Sequence, residues 1–152
     1  MNKKIIVALD NNNIENILKS IDRLHQEAFA FKIGYEFFYN FGIEGYKRIY
    51  KICPKIFLDL KLHDIPNTVG KGIKAISKLK PIFTTIHISG GDQMQLISKM
   101  TKNKKTKILG VTVLTSLTNK QTLKYYNEKN LNSLVKKFAK YAKQNNLNGL
   151  VC

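Results

Sequence analysis

Asp59, Lys61 and Asp64 fall within one short run, Asp59-Leu-Lys-Leu-His-Asp-Ile-Pro-Asn-Thr68, where an apolar strand runs out. Strand side chains alternate between faces. Asp59 and Lys61 are therefore expected to point the same way, roughly 6.6 Å apart along the backbone. Leu58, Leu60 and Leu62 then take the other face, as in a half-buried strand. Asp64 follows in the loop, just before Pro66, which stops a strand or opens a helix. Charge at the mouth of an apolar strand is costly unless paired. Structural needs give little reason to build such a cluster. The cluster is therefore the place to look for chemistry.

The elements that must position these residues alternate along the whole chain. Strands are expected at Ile5–Leu9, Phe29–Ile33, Ile56–Leu62, Phe83–Ser89, Ile108–Thr115 and Gly149–Cys152. Between the first two, Ile14, Ile17, Leu18, Ile21 and Leu24 form a helical stripe with Asn13 as its N-cap. Further helices are expected at Tyr35–Tyr50, Asn67–Leu79, Asp92–Met100 and Leu131–Gln144, and Thr118–Lys129 reads as a short helix or an active-site loop. Such alternation argues for an α/β protein with a parallel sheet, either doubly wound or closed as a barrel. No Gly-x-Gly-x-x-Gly follows the first strand, which counts against a dinucleotide-binding open sheet. Polar residues recur where strands end: Asp10, Lys32, Asp59 with Lys61, His87 with Ser89, and Thr115 with Ser116. Barrel active sites are assembled in this way. The expectation is a TIM-type (β/α)8 barrel, incomplete here at about five and a half β/α units. No linker or repeat array divides residues 1–152, so a single domain is expected.

Composition narrows the function classes. At 152 residues, 43% hydrophobic and 24% charged, the chain can build an ordinary globular core. No apolar run approaches the roughly 18 residues of a membrane helix. The apolar stretch after the charged start is cut at Asp10, too short for a signal peptide. Cys53 and Cys152 show no metal or redox spacing, which suits a reduced, cytoplasmic setting. The net charge of +16 comes from lysines spread throughout, alongside abundant Asn and Ile, as in the drift of an A- and T-rich genome. The densest basic stretch, Lys102–Lys107, contains no aromatic residue, and a solvated basic surface is favoured over nucleic-acid binding.

The chain resembles the orotidine 5′-phosphate decarboxylases. Val7-Ala-Leu-Asp10 is similar to the family's first strand, Phe31-Lys-Ile-Gly34 to its second, and Asp59–Thr68 to its signature. Ile86-His-Ile-Ser-Gly-Gly91 and Val111-Thr-Val-Leu-Thr-Ser116 resemble the fourth and fifth strand ends. The signature is highly specific, and the remaining motifs gain weight from their order.

The resemblance implies conversion of orotidine 5′-phosphate to UMP and CO₂ through a C6 carbanion, with no metal or organic cofactor. It implies that Lys61 supplies positive charge beside C6 and then the proton, and that Asp59 faces the departing carboxylate. Lys32 and Asp64 complete an alternating array. Asp10 would contact the ribose hydroxyls, against the plainer reading of a helix cap. Thr115, with Ser116 as the alternative, would contact the pyrimidine. Asp64, Ile65 and Thr68 would cross the interface of a homodimer and complete the partner's site, against the plainer reading of a turn and helix start. Lys32 could also be one more surface lysine, and Asp59 with Lys61 a strand-end ion pair. His63 and His87 read as structural, and Gly90-Gly91 as a tight strand-to-helix turn.

The sequence departs from the family pattern by ending in what corresponds to the sixth strand. The region that follows there supplies a closing loop and a phosphate-gripping arginine. Arg23 and Arg48 match neither. Two readings stand: the N-terminal part of a decarboxylase, inactive in isolation, or a non-enzymatic decayed fragment or interaction protein. A third, less favoured by His63-Asp-Ile-Pro-Asn-Thr68, is a magnesium-dependent sugar-phosphate decarboxylase or synthase sharing Asp-x-Lys-x-x-Asp.

Overall fold

The computed structural model describes residues 4–152. The charged start, Met1 to Lys3, lies outside the described residues. Among the described residues six strands and six helices alternate, save that two helices lie between the last two strands: β1 (Ile6–Ala8), α1 (Ile14–Leu24), β2 (Ala30–Ile33), α2 (Tyr35–Ile52), β3 (Ile56–Leu62), α3 (Pro66–Lys78), β4 (Phe83–His87), α4 (Gly91–Thr101), β5 (Lys107–Val111), α5 (Asn119–Tyr126), α6 (Leu131–Gln144) and β6 (Gly149–Val151). The strands follow one another in the sheet in chain order. A doubly wound sheet reverses its order at a switch point. The sequential order therefore decides between the two closures left open by the sequence, in favour of the barrel type. Among the described residues, no helix is long and apolar enough to cross a membrane.

The chain divides into two compact units. One comprises the residues up to Leu60 together with Pro81–Thr84, and the other Lys61–Lys80 together with Thr85–Cys152. In the first unit, β1 pairs with β2 and β2 with β3, all parallel. Helix α1 starts where expected: Asn13 Oδ1 accepts from the N–H groups of Glu15 and Asn16 at 3.0 and 3.1 Å. Its apolar stripe buries Ile17 and Ile21. Helix α2 is interrupted at Gly42, whose φ of 56° and ψ of −151° separate two helical stretches. The periodicity of the sequence did not show that kink. Phe83 lies edge-on to Phe57 at 5.7 Å and tilted against Phe29 at 6.3 Å.

Ile56 to Leu60 are all buried, Asp59 included. The alternation expected of a half-buried strand is thus corrected, because a strand of a parallel sheet is covered on both faces.

In the second unit, α3 opens on Pro66 and turns Val69, Ile73 and Ile76 inward. It approaches α4 closely at Gly70, where a Cβ would stand 2.9 Å from the Ile97 side chain. One apolar cluster joins Val69 and Ile73 to Ile86, Met94 and Ile108. Another joins Ile88 and Val113 to Leu134, Phe138 and Ala142. These clusters explain two boundary corrections. β4 ends at His87 rather than Ser89, because Ile88 turns into the second cluster through a short 3₁₀ turn, and Gly91 (φ 85°) opens α4. β5 ends at Val111 rather than Thr115, because Val113 enters the same cluster and the Leu117 N–H closes a turn on the Leu114 carbonyl at 3.0 Å. Thr118–Lys129 resolves into a helix, α5, with a capping box between Thr118 and Gln121.

Asn13→Ala is expected to lower stability by about 1 kcal/mol, and Phe138→Ala by about 3–5 kcal/mol. Urea unfolding followed by far-ultraviolet circular dichroism checks both values and their ranking.

Candidate active site

In the first unit, strand register builds the charged array. Ala8 is level with Lys32, and Lys32 is level with Phe57. Each neighbouring strand carries its carboxylate two residues further on, Asp10 beyond Ala8 and Asp59 beyond Phe57. Two residues is one strand repeat, so both carboxylates share the face of Lys32, roughly 6.6 Å nearer the strands' C-terminal ends. A lysine stem can span that offset, and its ammonium rises between the two acids. Lys32 Nζ stands 4.0 Å from Asp10 Oδ1 and 3.8 Å from Asp59 Oδ2.

The two carboxylates sit in different media. The Asp59 side chain is 7% exposed and that of Asp10 72%. Attraction between Lys32 and Asp59 is therefore screened less than that between Lys32 and Asp10. Tyr35, the first residue of α2, belongs to the same neighbourhood. Its phenol is raised above the usual tyrosine value by burial, then by Tyr39, then by the negative charge of Asp59. Sequence reasoning missed Tyr35, although its place three residues after Lys32 at a strand end was a usable signal.

The second unit holds the rest. Lys61 is half-buried at the end of β3 with φ of 40°, so the strand is not evenly pleated there. The Lys61 N–H donates to Thr85 Oγ1 at 2.8 Å. Thr85 also escaped the sequence reading, because a threonine in a strand is ordinary. Asp64, Ile65 and Thr68 gather at the exposed start of α3, and Asp64 Oδ1 accepts from the Ile65 N–H at 2.6 Å. Ile65 is 66% exposed. Thr115 and Ser116 lie exposed in the turn after β5 rather than on a strand end. The rings of His63 and His87 pack at 5.1 Å, and His63 closes on Gly90, where a Cβ would meet it at 3.2 Å.

Neither arginine joins the array. Arg48 pairs with Glu15 at 2.7 Å, and Arg23 sits in the last turn of α1. Among the described residues, no group of three or more His, Cys, Asp and Glu is disposed to hold a metal ion.

Among the four residues of the alternating array that the resemblance implied, Lys32 and Asp59 are adjacent here, and Asp10, implied there as a ribose contact, lies on the other side of Lys32. A sequence model of the orotidine 5′-phosphate decarboxylase / HUMPS family matches residues 3–152. The chain belongs to that family. The orotidine 5′-phosphate decarboxylase of Wolbachia sp. subsp. Brugia malayi is 41% identical over 149 residues, covering 97% of this chain and 66% of that protein. The Lactobacillus acidophilus decarboxylase is 40% identical over 164 residues, covering 100% of this chain and 68% of its own. The crystal structure of a Lactobacillus acidophilus decarboxylase matches with a TM-score of 0.86 at 39% identity, over 99% of this chain and 71% of the other. The chain thus spans about two thirds of the length of these curated relatives.

Lys32→Met removes the cation beside a buried carboxylate. A fully buried pair broken in this way costs about 3–5 kcal/mol. With Lys32 26% exposed and its contacts long, about 1–2 kcal/mol is expected. Adding Asp59→Asn should recover most of the loss, and a urea-melt double-mutant cycle with no coupling would refute the pairing.

Proposed function

We propose that this chain carries the catalytic array of a cofactor-independent orotidine 5′-phosphate decarboxylase, forming UMP and CO₂. The observation that carries the reading is Lys32 held between Asp10 and Asp59 at strand ends, in a chain of this family. Breaking the C6–carboxylate bond leaves its electron pair on C6, where delocalisation is poor. Lys61 opposes that charge and donates the proton that becomes C6–H. Asp59 stands beside the departing carboxylate, while Lys32 and Asp64 complete the alternation. Asp10 binds the ribose hydroxyls and Thr115 the pyrimidine. Fixed charges of this kind act strongly because little reorganisation is required during the reaction. Enzymatic rate enhancements correspond to roughly 8–23 kcal/mol of barrier, more than one general acid supplies. Binding energy from the remote phosphate contributes the remainder.

The same reading makes the active protein a cytoplasmic homodimer in which Asp64, Ile65 and Thr68 reach the neighbouring site. The exposure of Ile65 at the start of α3 supports that contact. A second reading is favoured by the length relation to the relatives. Barrels commonly hold phosphate on the loops after strands seven and eight, and the described residues comprise six strands. The 152-residue polypeptide alone is then a non-catalytic fold or interaction protein.

Loss of pyrimidine absorbance from orotidine 5′-phosphate separates the readings. The 152-residue polypeptide alone is expected to show negligible turnover. Co-expression with the C-terminal third of the Lactobacillus acidophilus relative should create activity, unaffected by chelators and lowered by Lys61→Ala at least about 10²–10⁴-fold. Mixing Lys61→Ala with Asp64→Ala protein should restore part of it if the site is shared. No turnover in the complemented protein would sink the decarboxylase reading, and magnesium dependence would favour the sugar-phosphate relatives. Turnover by the polypeptide alone, lost on Lys61→Ala, would sink the non-catalytic reading.

A further inference from the structure

Four residues other than glycine have positive φ among the described residues: Lys61, Lys80, Asn127 and Asn146. Three have an ordinary cause. Lys80 follows the C-cap of α3, Asn127 is the C-cap of α5, and Asn146 follows the C-cap of α6. Helices commonly end in this left-handed conformation. Lys61 alone sits inside a strand. A long side chain with a Cβ does not adopt that conformation for its own sake. Such strain persists only where the surroundings over-determine it, and it clusters at functional sites.

What holds Lys61 is visible one strand away. Its N–H donates to the hydroxyl of Thr85 at 2.8 Å. Thr85 is fully buried in β4, beside the apolar Ile86. A hydroxyl is costly at such a position unless it is used. Here it supplies an acceptor for the main-chain amide of the β3 residue whose φ is positive. Backbone conformation at Lys61 sets the direction in which Cα–Cβ departs, and the long stem magnifies any change at the ammonium.

We propose that Thr85 is a positioning residue for Lys61, its buried hydroxyl fixing the left-handed backbone that aims the Lys61 ammonium. The catalytic meaning of that aim rests on Lys61 being the proton donor of the proposed decarboxylation. The hold itself does not, and it can be read without substrate.

The test uses the 152-residue chain with Thr85→Val, which keeps the shape and removes the acceptor, and Thr85→Ser, which keeps the acceptor. Two readouts are taken: amide hydrogen exchange at Lys61, and the rate at which Lys61 is acetylated by an amine-selective ester relative to the other lysines. In Thr85→Val, Lys61 exchange should quicken at least tenfold and its relative acetylation rate should shift at least threefold. Thr85→Ser should restore both. Unchanged Lys61 readouts in a folded Thr85→Val chain would overturn the proposal. If Thr85→Val does not fold, Thr85→Ser decides alone, and loss of Lys61 protection there overturns it. In the complemented, active protein, Thr85→Val should lower kcat at least tenfold with KM unchanged, rescued by Ser. A displaced Lys61 with unchanged kcat would overturn the positioning role. Absence of turnover in the complemented parent would count against the decarboxylase reading alone, because the substrate-free readouts still decide whether Thr85 holds Lys61.

Discussion

A carboxylate inside a strand covered on both faces constrains everything around it. Asp59 is 5% exposed and lies in a run with no other polar residue from Ile56 to Leu60. Desolvating a charge there is tolerable only if opposite charge is held nearby. The sheet meets this through register. Parallel pairing puts Lys32 one strand repeat below Asp59, and the same offset recurs with Asp10 on the other side. A cation on a shorter stem could not span that offset. A register slip of one residue would send Lys32 to the opposite face. The pairing of β1, β2 and β3 is therefore as much a part of the site as the side chains.

The barrel type of the sheet and the identity of the charged residues were legible because they leave periodic or compositional traces. Alternating short apolar runs and helical stripes gave the element order, and Asn13 marked the start of α1 because its side chain satisfies exposed helix amides. Boundaries at the ends of β4 and β5 were not legible. Ile88 and Val113 read as strand residues by type, yet both are drawn into the cluster with Leu134 and Phe138, a demand set by a helix far along the chain. The kink at Gly42 was hidden for a related reason. Glycine is permissive, and only tertiary context decides whether that freedom is used.

The site was legible in its charges and illegible in its geometry. Asp10, Lys32 and Asp59 could be placed at strand ends by pattern, but their mutual approach depends on strand register, which the sequence specifies only through pairing. Tyr35 and Thr85 carry no charge and match common roles in their elements. Nothing local distinguishes a buried threonine that packs from one that holds a lysine amide.

Local rules of sequence and structure agree over most of this chain, and they fail together near the signature. Asp59 is a buried charge, and Lys61 a strand residue with positive φ whose N–H is held by the buried hydroxyl of Thr85. The buried charge and the positive φ each cost stability in isolation. Concentrated departures of this kind are expected where function opposes stability. The strain at Lys61 is informative for this reason, since the other three non-glycine positive-φ residues are explained by helix termination.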